Sequence, residues 1–190
     1  MSEKKPKNAQ QNQAKKAKQD EFYTQRSDIE KELAHYKSHF KDKVVLCNRD
    51  DPFESEFFRY FAINFNHLGL KKLIATSYAG SPIQRTLFNT DFKFGEGTRK
   101  PYKAIVTKFY GITEDGVEDM LDIEELFRQD ENVLELLNGD SVYGAGDFRS
   151  EECIELLKEV DIVCTNPPFS LWREYISLLV EYKKTVSDYW

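Results

Sequence analysis

The chain has 190 residues and a formal charge of −6, with 40% hydrophobic and 14% aromatic residues. This composition predicts one globular domain with a ring-rich core and excludes disorder throughout. The first 19 residues carry six lysines and one acid, so the rest of the chain is more acidic than its total charge indicates. An acidic body argues against broad coating of DNA but is compatible with an enzyme that meets DNA along one cleft.

Several features predict a cytoplasmic protein without a membrane segment. No apolar stretch reaches the roughly 20 residues of a membrane span, and the first residues lack the apolar segment of a secretory signal. Cys47, Cys153 and Cys164 have no C-x-x-C spacing and are predicted to be buried structural thiols. His35 and His39 lack a Cys or acidic partner at a ligand spacing, so no metal site is predicted.

The chain begins with a low-complexity segment. Residues 1–20 are rich in Lys, Gln and Asn and are predicted to form a disordered basic tail before one domain over residues 21–190. A helix is predicted over residues 27–41, with Ser27 and Glu30 as its capping box. Its apolar positions recur at helical spacing, at Ile29, Leu33, Tyr36 and Phe40.

A strand, helix and strand follow with short connections. The apolar run at 43–48 predicts a strand, residues 54–69 predict a ring-rich helix, and residues 71–78 predict a second strand. This order is typical of a βαβ unit, in which the two strands are parallel. Asp51 is predicted to cap the helix, with Pro52 at its first position.

The middle of the chain interrupts this alternation. Residues 79–116 contain several glycines and prolines around an alternating stretch, which predicts an inserted β-ribbon. Residues 123–137 are predicted to be helical. The stretch "DSVYGAGDFRS", at 140–150, predicts a short strand that ends in a Gly-rich turn.

The last third returns to alternation. A helix is predicted over 150–160, a strand over 161–166 and an amphipathic helix over 171–184. Strands alternating with helices predict an α/β sheet covered on both faces, with ligands bound beyond the carboxyl ends of its strands. The stretches predicted to lie there are 48–54, 76–80, 144–149 and 166–169.

The predicted strand at 161–166 ends at the first residue of Asn-Pro-Pro-Phe, which occupies 166–169. Pro167 and Pro168 stop strand pairing and hold Asn166 extended. The Asn166 side chain and the Pro167 carbonyl then offer two acceptors for an NH2 group, and Phe169 adds a ring for stacking. The motif therefore predicts a site for an aromatic amine. The alternative is ordinary loop punctuation at the start of a helix.

Asn-Pro-Pro-Phe resembles the motif of S-adenosylmethionine-dependent methyltransferases that act on adenine N6 in DNA. Two blocks, 44–80 and 144–182, are similar to the EcoRI-type adenine-specific DNA methyltransferases. The resemblance implies a Rossmann-like methyltransferase sheet and a site-specific enzyme of a restriction-modification or orphan type. It would transfer methyl from S-adenosyl-L-methionine to an adenine flipped out of double-stranded DNA.

The resemblance also implies roles for single residues. Asn166, Pro167 and Phe169 would hold the flipped adenine, with N6 donating to Asn166 and to the Pro167 carbonyl, and with Pro168 completing the motif. Asp147 would lie near the amino group of the cofactor adenine. Phe148 would lie against the adenine ring. The alternative for this last pair is a simple turn.

The loop after the first strand would receive the amino end of the cofactor, through Asn48, Asp50, Asp51 and Pro52. Two departures from the common methyltransferase pattern affect this assignment. No Gly-rich turn follows the first strand, and the second strand ends in "TSYAG" without the carboxylate that usually binds ribose hydroxyls.

EcoRI-type enzymes continue beyond the region that this chain resembles, so the sequence predicts a partial methyltransferase domain. The strand at 161–166 would then be an exposed edge, and another chain could supply further strands. An alternative is an inactive remnant that binds nucleic acid or a partner. A third interpretation is methylation of a glutamine amide. The recognition sequence, the oligomeric state and the activity of the chain alone are not predicted.

Overall fold

The computed structural model describes seven ranges of the chain, and it gives a mixed α/β fold. These ranges are 26–48, 51–52, 55–77, 101–109, 125–128, 130–165 and 169–186. The predicted tail, most of the predicted ribbon, Asp50 and residues 166–168 lie outside them. The predicted end of the tail at residue 20 and the predicted start of the domain at residue 21 also fall outside the described ranges. This division of the chain stays a prediction.

The helices are α1 (Arg26–Leu33), α2 (Glu56–Ile63), α3 (Phe65–Leu68), α4 (Glu151–Glu159) and α5 (Trp172–Glu181). Two 3-10 helices, Ala34–His39 and Phe169–Leu171, follow α1 and precede α5. The strands are β1 (Val44–Cys47), β2 (Lys72–Thr76), β3 (Tyr102–Val106), β4 (Val133–Leu136), β5 (Ile162–Val163) and β6 (Thr185–Val186).

The described strands form one sheet in the order β4-β3-β2-β1-β5-β6. β1 is parallel to both β2 and β5, with Leu46 paired to Ile74 and Val163. The predicted βαβ unit is therefore confirmed, and so is the strand before Asn-Pro-Pro-Phe. β3 and β4 extend the sheet beyond β2 in antiparallel pairing.

The expectation that the strand at 161–166 is a sheet edge was wrong. β6 pairs with β5 in parallel, with Thr185 beside Ile162 and Val186 beside Val163. β6 reaches β5 because α5 ends at Glu181 and a tight turn then returns the chain to the sheet. In that turn Lys184 donates its backbone N–H to Leu179. The Nζ of Lys184 also donates to the carbonyls of Lys158 and Val160.

Helices cover both faces of the sheet, as predicted. Side chains alternate along β1, so Val45 and Cys47 pack with α1, α2 and α3, while Val44 and Leu46 pack with α4 and α5. The three cysteines are buried, as predicted, and none of them forms a disulfide. The predicted apolar face of α4 is buried at Cys153, Leu156, Leu157 and Val160.

The helix predicted over 123–137 was wrong in its second half. Residues 133–136 form β4 instead, because Asn132 stops the helical turn and ties it to the end of β3. Its Oδ1 accepts from the backbone N–H of Thr107, and its Nδ2 donates to the carbonyls of Lys108 and Leu126. Pairing with β3 thus overrides the local helix propensity.

The strand predicted within 140–150 was also wrong, because Asp140 organises this stretch as a turn. Its Oδ1 accepts from the backbone N–H groups of Val142 and Tyr143, and its Oδ2 accepts from that of Glu151 at the start of α4. These backbone hydrogen bonds lower the pKa of Asp140 below its usual value. A side chain that bonds its own backbone two residues on is typical of a turn.

Smaller boundary differences have local causes. Ser27 lies inside α1, so it does not cap it, and Tyr36 of the predicted apolar face is exposed. α2 is capped by Ser55, whose Oγ accepts from the N–H of Phe58, and Asp51 was the wrong cap. β3 belongs to the main sheet; the predicted ribbon as a whole stays a prediction.

An ion pair connects β3 to α4. Lys103 Nζ lies 2.8 Å from Glu152 Oε1 and 3.4 Å from Glu135 Oε2. Burial acts to lower the pKa of Lys103, but the hydrogen bond and charge of Glu152 raise it overall. Burial acts to raise the pKa of Glu152, and the hydrogen bonds from Lys103 and the Asn138 backbone lower it below its ordinary 4.5.

Gly146→Ala is expected to destabilise the protein by about 2–4 kcal/mol. Gly146 has a φ of +77°, and an added Cβ would lie 2.5 Å from the Ser77 carbonyl oxygen and 2.8 Å from Pro101 Cβ. Gly144→Ala is the matched control, because nothing lies within 4 Å of its Cβ position. Urea unfolding of both variants checks this, and equal midpoints would contradict it.

Glu152→Gln is expected to lower the free energy of unfolding at pH 7 by about 1–3 kcal/mol, because Lys103 loses a charged acceptor. A lowered carboxyl pKa contributes stability above pH 4.5 that is lost as the pH falls through the folded-state pKa. The difference between the wild type and the variant should therefore shrink as the pH falls below 4.5. Denaturant unfolding over a series of pH values from 7 downward measures this. The exposed Glu155, paired with Lys158, gives the control Glu155→Gln, which should follow the wild type.

Candidate functional site

Asn48 accepts two hydrogen bonds that join the carboxyl ends of three neighbouring strands. Asn48 directly follows β1 and is 2% exposed. Its Oδ1 accepts from Thr76 Oγ1 at the end of β2, at 2.7 Å, and its backbone carbonyl accepts from Thr165 Oγ1 just after β5. Polar side chains at these positions satisfy backbone and side-chain groups that the strands no longer pair. They fix the rim of the sheet as far as Thr165, the residue before Asn166 in the sequence.

A second set of hydrogen bonds extends this rim to β3. Asp51 is buried, and its Oδ1 accepts from the Tyr102 hydroxyl at 2.7 Å. Tyr102 in turn donates its backbone N–H to Ser77 Oγ at 2.9 Å. Asp51 also accepts the backbone N–H of Ser55, the cap of α2. The loop after β1 is thereby held to β3 on one side and to a helix start on the other.

The loop at 144–149 lies against the end of β2. Gly146 approaches the Ser77 carbonyl so closely that only a hydrogen fits in place of a side chain. The structure therefore brings the described parts of three predicted stretches, 48–54, 76–80 and 144–149, to one end of the sheet. Asn166, Pro167, Pro168 and Asp50 fall outside the described residues. For Phe169, the structure gives its backbone place in the 3-10 helix Phe169–Leu171.

Asp147 is held by Arg149. Its Oδ1 accepts from the backbone N–H and from Nε of Arg149, and its Oδ2 accepts from Nη2 of Arg149 at 2.9 Å. Arg149 Nη1 also donates to Glu174 Oε2 of α5, and the Arg149 guanidinium lies 4.6 Å from the centre of the Tyr143 ring. The hydrogen bonds with Asp147 raise the pKa of Arg149 further above its usual range.

Phe148 is placed differently from its expected role. Its side chain is 1% exposed and meets Tyr175 of α5 edge to face, with ring centres 5.1 Å apart. The Arg149 guanidinium lies 5.2 Å from the same ring. With its faces packed in the core, Phe148 has no open surface for a cofactor ring, and it supports the loop from inside.

The hydrogen-bond acceptors at the rim fit S-adenosylmethionine in part. The carboxylate of Asp51 and the amide of Asn48 suit the ammonium end of an amino acid. Asp147 can accept from a further amino group because a carboxylate oxygen has more than one lone pair. Phe148 does not fit. Sequence reasoning missed Tyr102 and Thr165 as parts of this region, and it gave no role to Arg149 within the predicted stretch 144–149.

Comparison with known protein families gives a match over most of the chain. A family model described as adenine-specific methyltransferase EcoRI matches residues 10–187. The chain belongs to this family. The EcoRI-type methyltransferase resemblance of the two sequence blocks is thereby confirmed. The matched residues include all six strands of the described sheet.

Curated relatives of the EcoRI methyltransferase family include the type II methyltransferase M.EcoRI of Escherichia coli, 44% identical over 171 residues. The type II methyltransferase M.MpnI of Mycoplasma pneumoniae is 38% identical over 173 residues. These alignments cover 90% and 91% of this chain but 45% and 41% of the relatives. The chain thus spans less than half the length of these relatives. No solved structure matches it significantly.

Two other kinds of feature are absent from the described residues. Among them, no helix is both long enough and apolar enough to cross a membrane. The same residues contain no group of three or more His, Cys, Asp or Glu side chains arranged to hold a metal ion.

Thr165→Val is expected to speed hydrogen exchange of the Cys164 amide about fivefold, because it removes the hydrogen bond to Asn48 that holds the end of β5 to β1. The Cys164 N–H itself donates to Leu46 across these strands. Exchange measured by NMR tests this. Thr107→Val is the control, since Thr107 makes the same type of bond to the Glu131 carbonyl beyond the opposite end of β2. Equal effects at Cys164 would contradict the prediction.

Proposed function

We propose that this chain acts in DNA adenine-N6 methylation and contains the cofactor and target-base sites of the enzyme. The observation that carries the proposal is the rim at Thr165, which its hydrogen bond to Asn48 fixes, because Asn-Pro-Pro-Phe follows Thr165 in the sequence. Family membership and the type II methyltransferase names of the relatives support it. The sheet is proposed to be of the Rossmann-like methyltransferase kind, with residues 79–116 as an insertion.

The substrate is proposed to be an adenine flipped out of double-stranded DNA. Asn166 and the Pro167 carbonyl would accept hydrogen bonds from the N6 amino group, and this keeps electron density on the attacking nitrogen. Phe169 would stack on the base, and Pro168 would stiffen the turn. Stacking on an aromatic ring contributes roughly 1–3 kcal/mol and offsets part of the cost of extruding the base.

The cofactor is proposed to be S-adenosyl-L-methionine, which when bound supplies a methyl group on a sulfonium. Asp51, Asn48, Asp50 and Pro52 would receive its amino-acid end at the loop after β1. Asp147, oriented by Arg149, would accept from its adenine amino group. The residues of the chain act through alignment and charge placement, because the target nitrogen needs no general base before attack.

Asn166→Ala is expected to reduce methyl transfer about 10²–10³-fold, because one oriented acceptor at the reacting nitrogen is lost. The measurement is N6-methyladenine released from unmethylated duplex DNA after incubation with labelled S-adenosylmethionine. Asn66→Ala is the matched control. Asn66 lies on α3, before the amino end of β2, and bonds to the Phe109 carbonyl. Asn66→Ala should therefore retain wild-type transfer.

The same assay separates this proposal from the alternatives. Binding of DNA or of a partner without cofactor binding or methyl transfer by the wild type would favour a non-enzymatic binding module. Methylation of a glutamine-containing peptide in place of DNA would favour an amide substrate. Equal loss in Asn166→Ala and Asn66→Ala would contradict the role of Asn166.

A further inference from the structure

Tyr102 makes a buried hydrogen bond with Asp51 that the sequence pattern does not predict. It is the first residue of β3, is 1% exposed, and donates its hydroxyl to Asp51 Oδ1 at 2.7 Å across 51 positions of sequence. A hydroxyl removed from water costs free energy unless a partner accepts its hydrogen. The contact with Asp51 meets this requirement, whereas a phenylalanine would fill the same space without it.

The Tyr102 backbone is held on two sides. Its N–H donates to Ser77 Oγ at 2.9 Å, and its carbonyl accepts the Ser77 N–H at 2.8 Å. β3 continues in pairing with β2 and β4, including Tyr102 beside Leu136. The ring therefore extends from a strand inside the sheet toward the loop after β1, and its hydroxyl has little freedom to move.

Asp51 is held at its backbone and at its side chain. Its carbonyl accepts the N–H of Ser55 at 2.7 Å, which fixes the main chain at the start of α2. The Tyr102 hydroxyl then fixes the direction of the carboxylate. An oriented carboxylate binds an ammonium group better than a rotating one, because the rotamer freedom has already been lost in folding.

We propose that Tyr102 is a positioning residue for the amino-acid end of the cofactor, acting through the Asp51 carboxylate. This inference rests on the proposed function, in which Asp51 receives the ammonium group. It adds a strand from the middle of the chain, β3, to a site otherwise built from the ends of β1, β2 and β5. Tyr102 does not touch the methyl group or the target base in this role.

The test measures how Tyr102→Phe changes the binding of two ligands. S-adenosylhomocysteine has the amino-acid end, and 5′-methylthioadenosine lacks it but keeps the adenosine and the sulfur. Tyr102→Phe is expected to weaken binding of S-adenosylhomocysteine about tenfold, which is the effect of losing one hydrogen bond to a charged group. It is expected to weaken binding of 5′-methylthioadenosine less than about twofold. Calorimetry or ligand competition measures both dissociation constants.

The ratio of the two constants is the decisive quantity. Partial unfolding of a variant lowers the apparent affinity for both ligands by the same factor, so it does not change the ratio. Tyr60→Phe is the matched control, since Tyr60 is a buried tyrosine of α2 outside the rim hydrogen bonds described above. Its ratio should equal that of the wild type.

A double variant tests whether Tyr102 acts through Asp51. In an Asp51→Asn background, Tyr102→Phe should change the ratio less than twofold, since contacting residues do not contribute additively. An equal loss for both ligands in Tyr102→Phe overturns the inference and leaves the proposed function intact. Failure of the wild-type chain to bind S-adenosylhomocysteine overturns the cofactor assignment and this inference together.

Discussion

The hydrogen bonds of Asn48 are the constraint on which the rest of the site depends. Asn48, one residue after β1, accepts from Thr76 at the end of β2 and from Thr165 just after β5, so three strand ends keep a fixed relation. Because polar groups removed from water are costly when unpaired, replacing Thr76 or Thr165 removes one of these connections at a cost in free energy. The proposed target-base motif begins at Asn166, the residue after Thr165 in the sequence.

Arg149 gives the site a second connection, from its loop to the helix after Asn-Pro-Pro-Phe. It holds Asp147 through two carboxylate oxygens and reaches Glu174 of α5. The pair with Asp147 is bidentate and partly buried, which makes it the stronger of the two. The contact with Glu174 is more exposed and adds little energy alone, although it relates the proposed cofactor residue Asp147 to α5.

The antiparallel pair β3 and β4 does more than extend the sheet. β3 supplies Tyr102 to the rim and Lys103 to α4, through Asp51 and Glu152 respectively. These side chains are neighbours in sequence and point to opposite faces, as the period of a strand requires. A segment whose sequence predicted only an insertion therefore joins the helix layer on one face to the proposed cofactor loop.

Sequence alone determined the strand, helix and strand over β1, α2 and β2, the helices α4 and α5, and the strand before Asn166, because apolar periodicity there agrees with the final structure. It also determined the family, through blocks that the comparisons confirm. The signals that were misread were local: Asn132 and Asp140 are turn formers within stretches whose neighbours favour helix or strand.

Tertiary structure alone decided β4, β6 and the contacts of Asp51 and Phe148. β4 forms because β3 offers hydrogen bonds to it, and β6 forms because the turn after α5 returns the chain to β5. The partner of Asp51 lies 51 residues away in Tyr102, and Phe148 turns into the core against Tyr175. A one-dimensional pattern does not contain these pairings, because they depend on which distant surfaces meet when the sheet is assembled.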